Sequence, residues 1–342
     1  MKIKRRTISC IVLLTLFVSV HSASIAKYAG EFMSTGVGAR ALSMGGAYVA
    51  GGGDASYGYW NPAGLPRLNY PDLIVMHSER FAGMVNYDYA GFALPFRKTE
   101  GLAFSVIRLG VDDIPYTAIP RPDLRQDTTY LDADGNLRVN RPYIDRRVSD
   151  AEYAFYLSYG KQRSKKAAFG VNAKFVHKGV GDHSAWGLGF DIGGLWNPWR
   201  QLKVGINLQD ITTTMLAWNT GKTELISPTF KSGISYPFFL PRLQSRLLLA
   251  GDVDMRFENR GFASQFSLGP VSMDFRVGAE FNFRNILAVR AGRDDLGFFT
   301  AGAGLILPRL NIDYAFMNHT DLRETHRVSL RIRIEEQRFK RK

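Results

Sequence analysis

Between Val271 and Arg284 the chain reads VSMDFRVGAEFNFR, apolar on every odd position and polar or glycine on every even one. A period of two belongs to a strand whose two faces meet different surroundings. Strands of soluble domains typically run about five or six residues, whereas a tilted strand needs about 9 to 11 to cross a bilayer. The run therefore constrains the fold more than any other feature: it predicts a membrane-crossing strand with lipid on one side and a polar interior on the other. A soluble sandwich also alternates, but it hides its apolar face and keeps a solvent face richer in charge.

The same rule predicts an all-β fold, a transmembrane antiparallel β-barrel of about 14 strands. The predicted strands lie at roughly 72–78, 85–96, 100–109, 150–160, 166–177, 184–196, 202–210, 228–237, 244–257, 271–284, 286–293, 297–307, 309–318 and 325–335. An even number leaves both chain ends on the periplasmic side. The connections after strands two, four, six, eight, ten and twelve are then short, and those on the other side include the longer 110–149, 211–227 and 258–270. Short periplasmic turns and longer outer loops are the habit of such barrels. Phe96, Tyr159, Trp196, Trp199, Phe238, Phe239 and Phe283 cluster by the short turns, where an interfacial girdle belongs.

The inward face carries Lys174, Lys203, Lys231, Asp252, Asp254, Arg256, Asp274, Arg276, Glu280, Arg284, Arg290, Asp313, Arg327, Arg331 and Arg333, expected to pair across strands with a basic excess. The whole chain holds 44 Lys and Arg against 31 Asp and Glu, a formal charge of +13. The charge is spread along the chain, which fits lipid headgroups better than nucleic acid, and no nucleic-acid partner is expected.

Residues 1–22 have the pattern of a cleaved signal peptide: Lys2, Lys4, Arg5 and Arg6 precede an apolar run from Ile8 to Val20. The only cysteine, Cys10, leaves with it, so the exported chain needs neither disulfides nor a thiolate metal site. No later apolar run approaches the length of a membrane helix. The expected organisation is a signal peptide at 1–22, a glycine-rich segment at 23–70, a barrel at 71–335 and a basic tail, 336–342, meeting lipid headgroups or disordered.

The stretch GARALSMGGAYVAGGGDASYGYWNPAGL, Gly38 to Leu65, precedes the first strand and carries two charges, Arg40 and Asp54. Such a segment either hangs in the periplasm or folds into the lumen. Glycines favour the lumen, because they let backbone approach backbone and adopt positive φ. The expected plug residues are Gly38, Arg40, Gly45, Gly46, Asp54, Asn61, Pro62 and Gly64. Tyr48, Tyr57, Tyr59 and Trp60 either line a substrate pocket there or pack the segment, and packing is the favoured role. Among the lumen charges Asp274, Arg276, Glu280, Arg327, Arg331 and Arg333 are the ones singled out.

This block, followed by an alternating barrel ending in HRVSLRIRI at His326 to Ile334, resembles the PorV/PorQ family of bacterial outer-membrane proteins. That family is similar to the FadL-type fourteen-stranded fatty acid channels, whose amino-terminal hatch shares an NPA turn, here Asn61-Pro62-Ala63. The resemblance implies a hatch inside the barrel and an integral place in the outer membrane. Its PorV branch implies a component or shuttle of type IX protein secretion, with secretion-system proteins or exported cargo as partners. Its FadL branch implies passive passage of hydrophobic small molecules.

Motifs with chemical potential are few. Gly36-Val37-Gly38-Ala39-Arg40-Ala41 imitates a dinucleotide fingerprint without the strand that gives that motif meaning. Asp132, Asp134 and Asn136 have a spacing by which a calcium ion can be shared, but no downstream glutamate completes the loop, and a plain Asp-Gly turn is preferred. His177, Asp182, His183 and Ser184 would make a hydrolase constellation only if an orienter and an oxyanion site joined them. The expectation is a protein without catalytic activity, metal or cofactor.

Overall fold

The computed structural model describes residues 24, 25, 30–81, 83–258, 260–319 and 323–341. The predicted signal peptide and Cys10 lie outside these.

Fourteen antiparallel strands form the wall among the described residues. They are β1 (Asp72–Arg80), β2 (Val85–Phe96), β3 (Glu100–Ala118), β4 (Tyr143–Gln162), β5 (Ala167–Val180), β6 (His183–Trp196) and β7 (Lys203–Gln209). There follow β8 (Thr229–Leu240), β9 (Ser245–Arg256), β10 (Val271–Phe283), β11 (Leu287–Arg293), β12 (Phe299–Ile306), β13 (Leu310–His319) and β14 (Arg323–Arg333). Each pairs with the next in sequence, and β14 returns to β1 in the register Asp72↔Arg333 to Glu79↔His326. The sheet is closed. No strand edge is left to satisfy in lipid, where each unpaired backbone group would cost several kcal/mol.

The alternation reads directly onto the two faces. In β10, Val277 is 55 % exposed while Arg276 beside it is 4 % exposed, and the same contrast repeats along the strand. Large apolar side chains such as Leu157, Phe175, Leu188, Ile206 and Val289 cover the outside. An apolar exterior around an ionic interior inverts a soluble protein and matches a lipid-facing wall. Phe96, Trp196, Trp199, Phe238, Phe239 and Phe283 are exposed near the short turns, as expected of a girdle.

Three features depart from the alternation rule. First, β3 and β4 run far beyond the expected 100–109 and 150–160, pairing as far as Ala118↔Tyr143 through two register shifts. The extension is rich in Asp and Arg on both faces, so nothing alternates there. Second, β7 breaks at Asp210 and Thr213, both at positive φ, and the chain forms a hairpin, Thr214–Trp218 against Thr223–Ile226, where a loop was expected. Its first arm adds to β6 through Met215↔Leu188 to Trp218↔Ala185. Third, Arg284 does not face inward: it lies exposed in the β10–β11 turn at φ +49.

The carboxy-terminal tail is docked rather than loose. Arg341 donates to the carbonyls of Leu68 at 2.9 Å, Arg97 at 3.1 Å and Glu100 at 2.5 Å, and its backbone N–H donates to Asn69 at 2.9 Å. One guanidinium thus donates to several rim carbonyls at once.

Candidate functional site

Residues 37–65 are almost entirely buried, and their partners are inward-facing groups of the strands. The chain enters through short helical turns at Glu31–Ser34 and Ala39–Leu42. Between them Gly38 sits at φ +81, which opens the way for the Ala39 N–H to donate to Ser329 Oγ on β14 at 2.7 Å. Gly45, at φ +67, lies so close to the Arg293 backbone that a Cβ would have no room.

Arg40 projects from the second turn onto Glu280 of β10, Nε to Oε2 at 2.7 Å and Nη2 to Oε1 at 2.9 Å. Glu280 also accepts from Arg290 at 2.7 Å and Arg246 at 3.1 Å, and Arg290 continues to Asp313 at 2.7 Å. Bidentate, charge-assisted bonds of this kind are the strong class of polar contact. The backbone N–H groups of Tyr48 and Val49 donate to Asp252 at 2.7 and 2.8 Å. Asp54 accepts from the Tyr48 hydroxyl at 2.6 Å and from the Ser56 N–H at 3.0 Å. Burial would raise the Asp54 pKa, but Arg331 and Arg40 outweigh it and hold the carboxyl below its ordinary value. Arg331 itself clasps Asp72 and donates to the Gly53 carbonyl at 2.8 Å.

Asn61 is the second anchor. Its amide donates to the carbonyls of Val49 at 3.0 Å and Gly194 at 3.1 Å, while its oxygen accepts from the Ala63 N–H at 3.1 Å. Pro62 then opens a 3-10 turn, Pro62–Arg67, where a residue without N–H costs nothing. Gly64 leaves the space that the Tyr57 ring fills.

The four aromatic candidates pack rather than line an open pocket. Tyr59 meets Trp60 edge-on with centroids 5.0 Å apart, Tyr48 lies 5.9 Å from Trp60, and Tyr59 reaches Tyr156 on β4 at 6.0 Å. Their polar tips are used: Tyr59 donates to Met33 O at 2.6 Å and Trp60 to Val37 O at 3.0 Å. Burial pushes the Tyr57 hydroxyl up to about 12 and raises Tyr59 as well.

The remaining lumen charges also find partners. Arg276 pairs with Asp254 at 2.5 Å and with Asp295 at 2.8 Å, Asp274 takes Arg260, and Arg333 meets Glu335 at 3.0 Å. Lys174 sits between Asp191 at 2.8 Å and Asp210 at 2.6 Å. Arg327 differs: it forms no ion pair with a carboxylate among the described residues. The cavities left inside are small, about 50 Å³ beside Lys174 and about 140 Å³ beside Trp60 and Arg327.

The wall glycines carry a signal that the sequence reading overlooked. A Cβ at Gly278 or Gly292 would run into Met44, and one at Gly170 or Gly193 into Pro62 or Asn61. The readable hint was glycine at inward positions of strands that otherwise alternate, a mark of close backbone approach.

Elsewhere the chemical motifs dissolve. Asp132 accepts from the N–H groups of Asp134 at 3.1 Å and Asn136 at 2.8 Å and from Arg138 at 3.0 Å, which makes it the organiser of a hairpin turn. No cluster of three metal-ligating side chains occurs among the described residues. His177 stacks outward on Trp186 at 3.8 Å, and Asp182 pairs with Arg146 at 2.6 Å, so no hydrolase constellation with Ser184 assembles.

The fold is a closed antiparallel barrel of fourteen strands with residues 37–65 buried against its inner face. The chain is similar in structure to the Pseudomonas putida toluene transporter TodX (TM-score 0.53, 11 % identity, 88 % of this chain and 99 % of that one). It is likewise similar to the CymD monoaromatic hydrocarbon channel (0.51, 11 %, 87 % and 96 %) and a Pseudomonas aeruginosa FadL homologue (0.51, 12 %, 83 % and 95 %). No protein-family model matches the chain, and no curated protein matches it by sequence.

Proposed function

We propose that the protein is a non-enzymatic outer-membrane barrel that lets hydrophobic small molecules cross, with residues 38–65 as its plug. The reading rests on one observation: along nearly the whole chain the architecture is that of channels named for toluene and other monoaromatic hydrocarbons. On this reading 23–70 is the hatch, 71–335 the channel wall and 336–342 a latch on the periplasmic rim. Gly38, Gly45, Gly46 and Gly64 give the hatch its close fit, and Arg40, Asp54, Asn61 and Pro62 hold it. The two interior cavities among the described residues are small, about 50 and 140 Å³, so on this reading transport goes with a shift of the hatch. Uptake of radiolabelled toluene by cells with an intact outer leaflet tests this. Cells carrying the barrel should accumulate it several-fold faster than cells without, and equal rates would end the reading.

A second reading, the PorV-type role in type IX export, has one observation in its favour. The β3–β4 extension and its small hairpin present Tyr116, Ile119, Leu131, Leu137, Tyr143 and Ile144 beyond the wall, an apolar surface that suits a protein partner. Affinity purification from native membranes separates the two readings, because secretion proteins or exported cargo would be retained only under the second.

A further inference from the structure

The outer end of the lumen, on the side of the long connections, gathers polar groups that the ion-pair networks leave out. Arg327 on β14, Ser78 on β1 and Tyr87 on β2 occupy one cross-strand row, Arg327↔Ser78↔Tyr87, all facing inward. Arg80 stands two residues beyond Ser78 on the same face. Arg327 Nε, Arg80 Nε, Ser78 Oγ and the Tyr87 hydroxyl are buried without a hydrogen-bond partner among the described residues. Such orphans are rare in a well-packed interior, and four adjacent ones call for a physical reason.

Arg327 is only 3 % exposed, yet among the described residues its one side-chain hydrogen bond is the weak one from Nη2 to Met317 Sδ at 4.0 Å. Arg80 reaches Thr35 Oγ1 at 3.4 Å and lies over the Phe81 ring at 5.3 Å. Neither forms an ion pair with a carboxylate among the described residues. Both line the cavity of about 140 Å³ whose inner wall is Trp60 and Leu42. Of the carboxylates around that cavity, Glu31 pairs with Arg256 at 3.3 Å and Asp295 with Arg276 at 2.8 Å, while Asp294 accepts from the N–H groups of Leu296 at 3.1 Å and Phe298 at 2.8 Å and lies within electrostatic reach of Arg327 without an ion pair to it. Two desolvated guanidinium groups facing one space are unfavourable unless an anion joins them.

We propose that this chamber is a binding site for a compact oxyanion, a single phosphoryl or sulfuryl group, held by Arg327 and Arg80. The donors are right for that chemistry, since guanidinium forks match tetrahedral oxyanions, and Arg80 and Arg327 both line the cavity. The size is right as well. A cavity of about 140 Å³ admits such a group. The site is independent of the transport reading, which stands or falls on toluene uptake.

The test uses the detergent-purified full-length chain, with thermal unfolding followed by near-UV circular dichroism and anion binding by titration calorimetry. Sodium phosphate and sodium sulfate should each raise the unfolding temperature saturably, and acetate or chloride at equal ionic strength should not. R327M and R80M should each weaken phosphate binding at least tenfold, while R97A, in an exposed turn, leaves it unchanged. Without phosphate, R327M should unfold no earlier than the parent, because an unpaired buried cation has been removed. sn-Glycerol 3-phosphate binding as tightly as phosphate would assign the group to a lipid headgroup or ester, and phosphate alone would assign a free anion. A phosphate response identical in the parent and both variants, or none in the parent, would overturn the proposal.

Discussion

The guanidinium of Arg40 grips the carboxylate of Glu280 through two parallel hydrogen bonds, joining a residue of the buried segment 37–65 to a strand of the wall 240 positions later. Segment and wall are therefore mechanically one object at this point.

Arg40→Gln should loosen that joint without disturbing the barrel. It removes two charge-assisted bonds, each worth about 2 kcal/mol, but leaves Glu280 paired to Arg290 and Arg246. Glu280→Gln should be worse, by about 3–5 kcal/mol, because it strands buried cations. Single-channel conductance in planar bilayers checks both. Expected are larger and more frequent openings for Arg40→Gln, and an earlier heat-induced gel shift for Glu280→Gln.

Glycine positions in the wall should separate sharply. Gly193→Val places a branched side chain where Asn61 and Pro62 lie, so the hatch must leave, and trypsin should cut at Arg40 or Arg67 in folded barrels. Gly251→Ala, on β9, adds a Cβ that meets nothing closer than 3.7 Å and should behave as the parent in the same digestion.

Acid should release the hatch through Asp54. Its carboxyl is held below the ordinary value of 3.8, with Arg331 and Arg40 overcoming the effect of burial. The native state thus binds fewer protons than the unfolded chain, so this stabilisation is complete above about pH 4 and fades as pH falls through the native pKa. Trp60 emission between pH 6 and pH 2 should shift red at the acidic end. In Asp54→Asn the shift should be absent and the hatch weaker at neutral pH.

Lipid contact is measurable through tryptophan. Trp186 and Trp196 are exposed on the outer face, whereas Trp60 is buried within. In vesicles of brominated lipid, single-tryptophan variants retaining Trp186 or Trp196 should lose most of their emission and one retaining Trp60 should keep it. Equal quenching of all three would contradict the inside-out arrangement of side chains.

Most of the wall was legible because a lipid-facing strand must alternate, and Val271 to Phe283 did so without exception. The β3–β4 extension was not, since Asp112, Asp113, Asp145, Arg146 and Arg147 lie where both faces are wet and no periodicity is enforced. The hairpin from Thr214 escaped for a related reason: each arm is too short to display a period. At the site, glycine density pointed to close packing, and Arg40 and Asp54 stood out as lone charges. Their partners were unreadable, because pairing across a barrel depends on strand stagger, which alternation leaves free. The orphaned group around Arg327 was equally hidden, as it joins β14 to β1 across the closure.

The glycines that admit Met44, Asn61 and Pro62 make the wall a cast of what it contains. A chimera that keeps these strands but receives a different amino-terminal stretch would inherit indentations with no matching relief. Swapping such segments between relatives would succeed only when the facing strand positions travel with them.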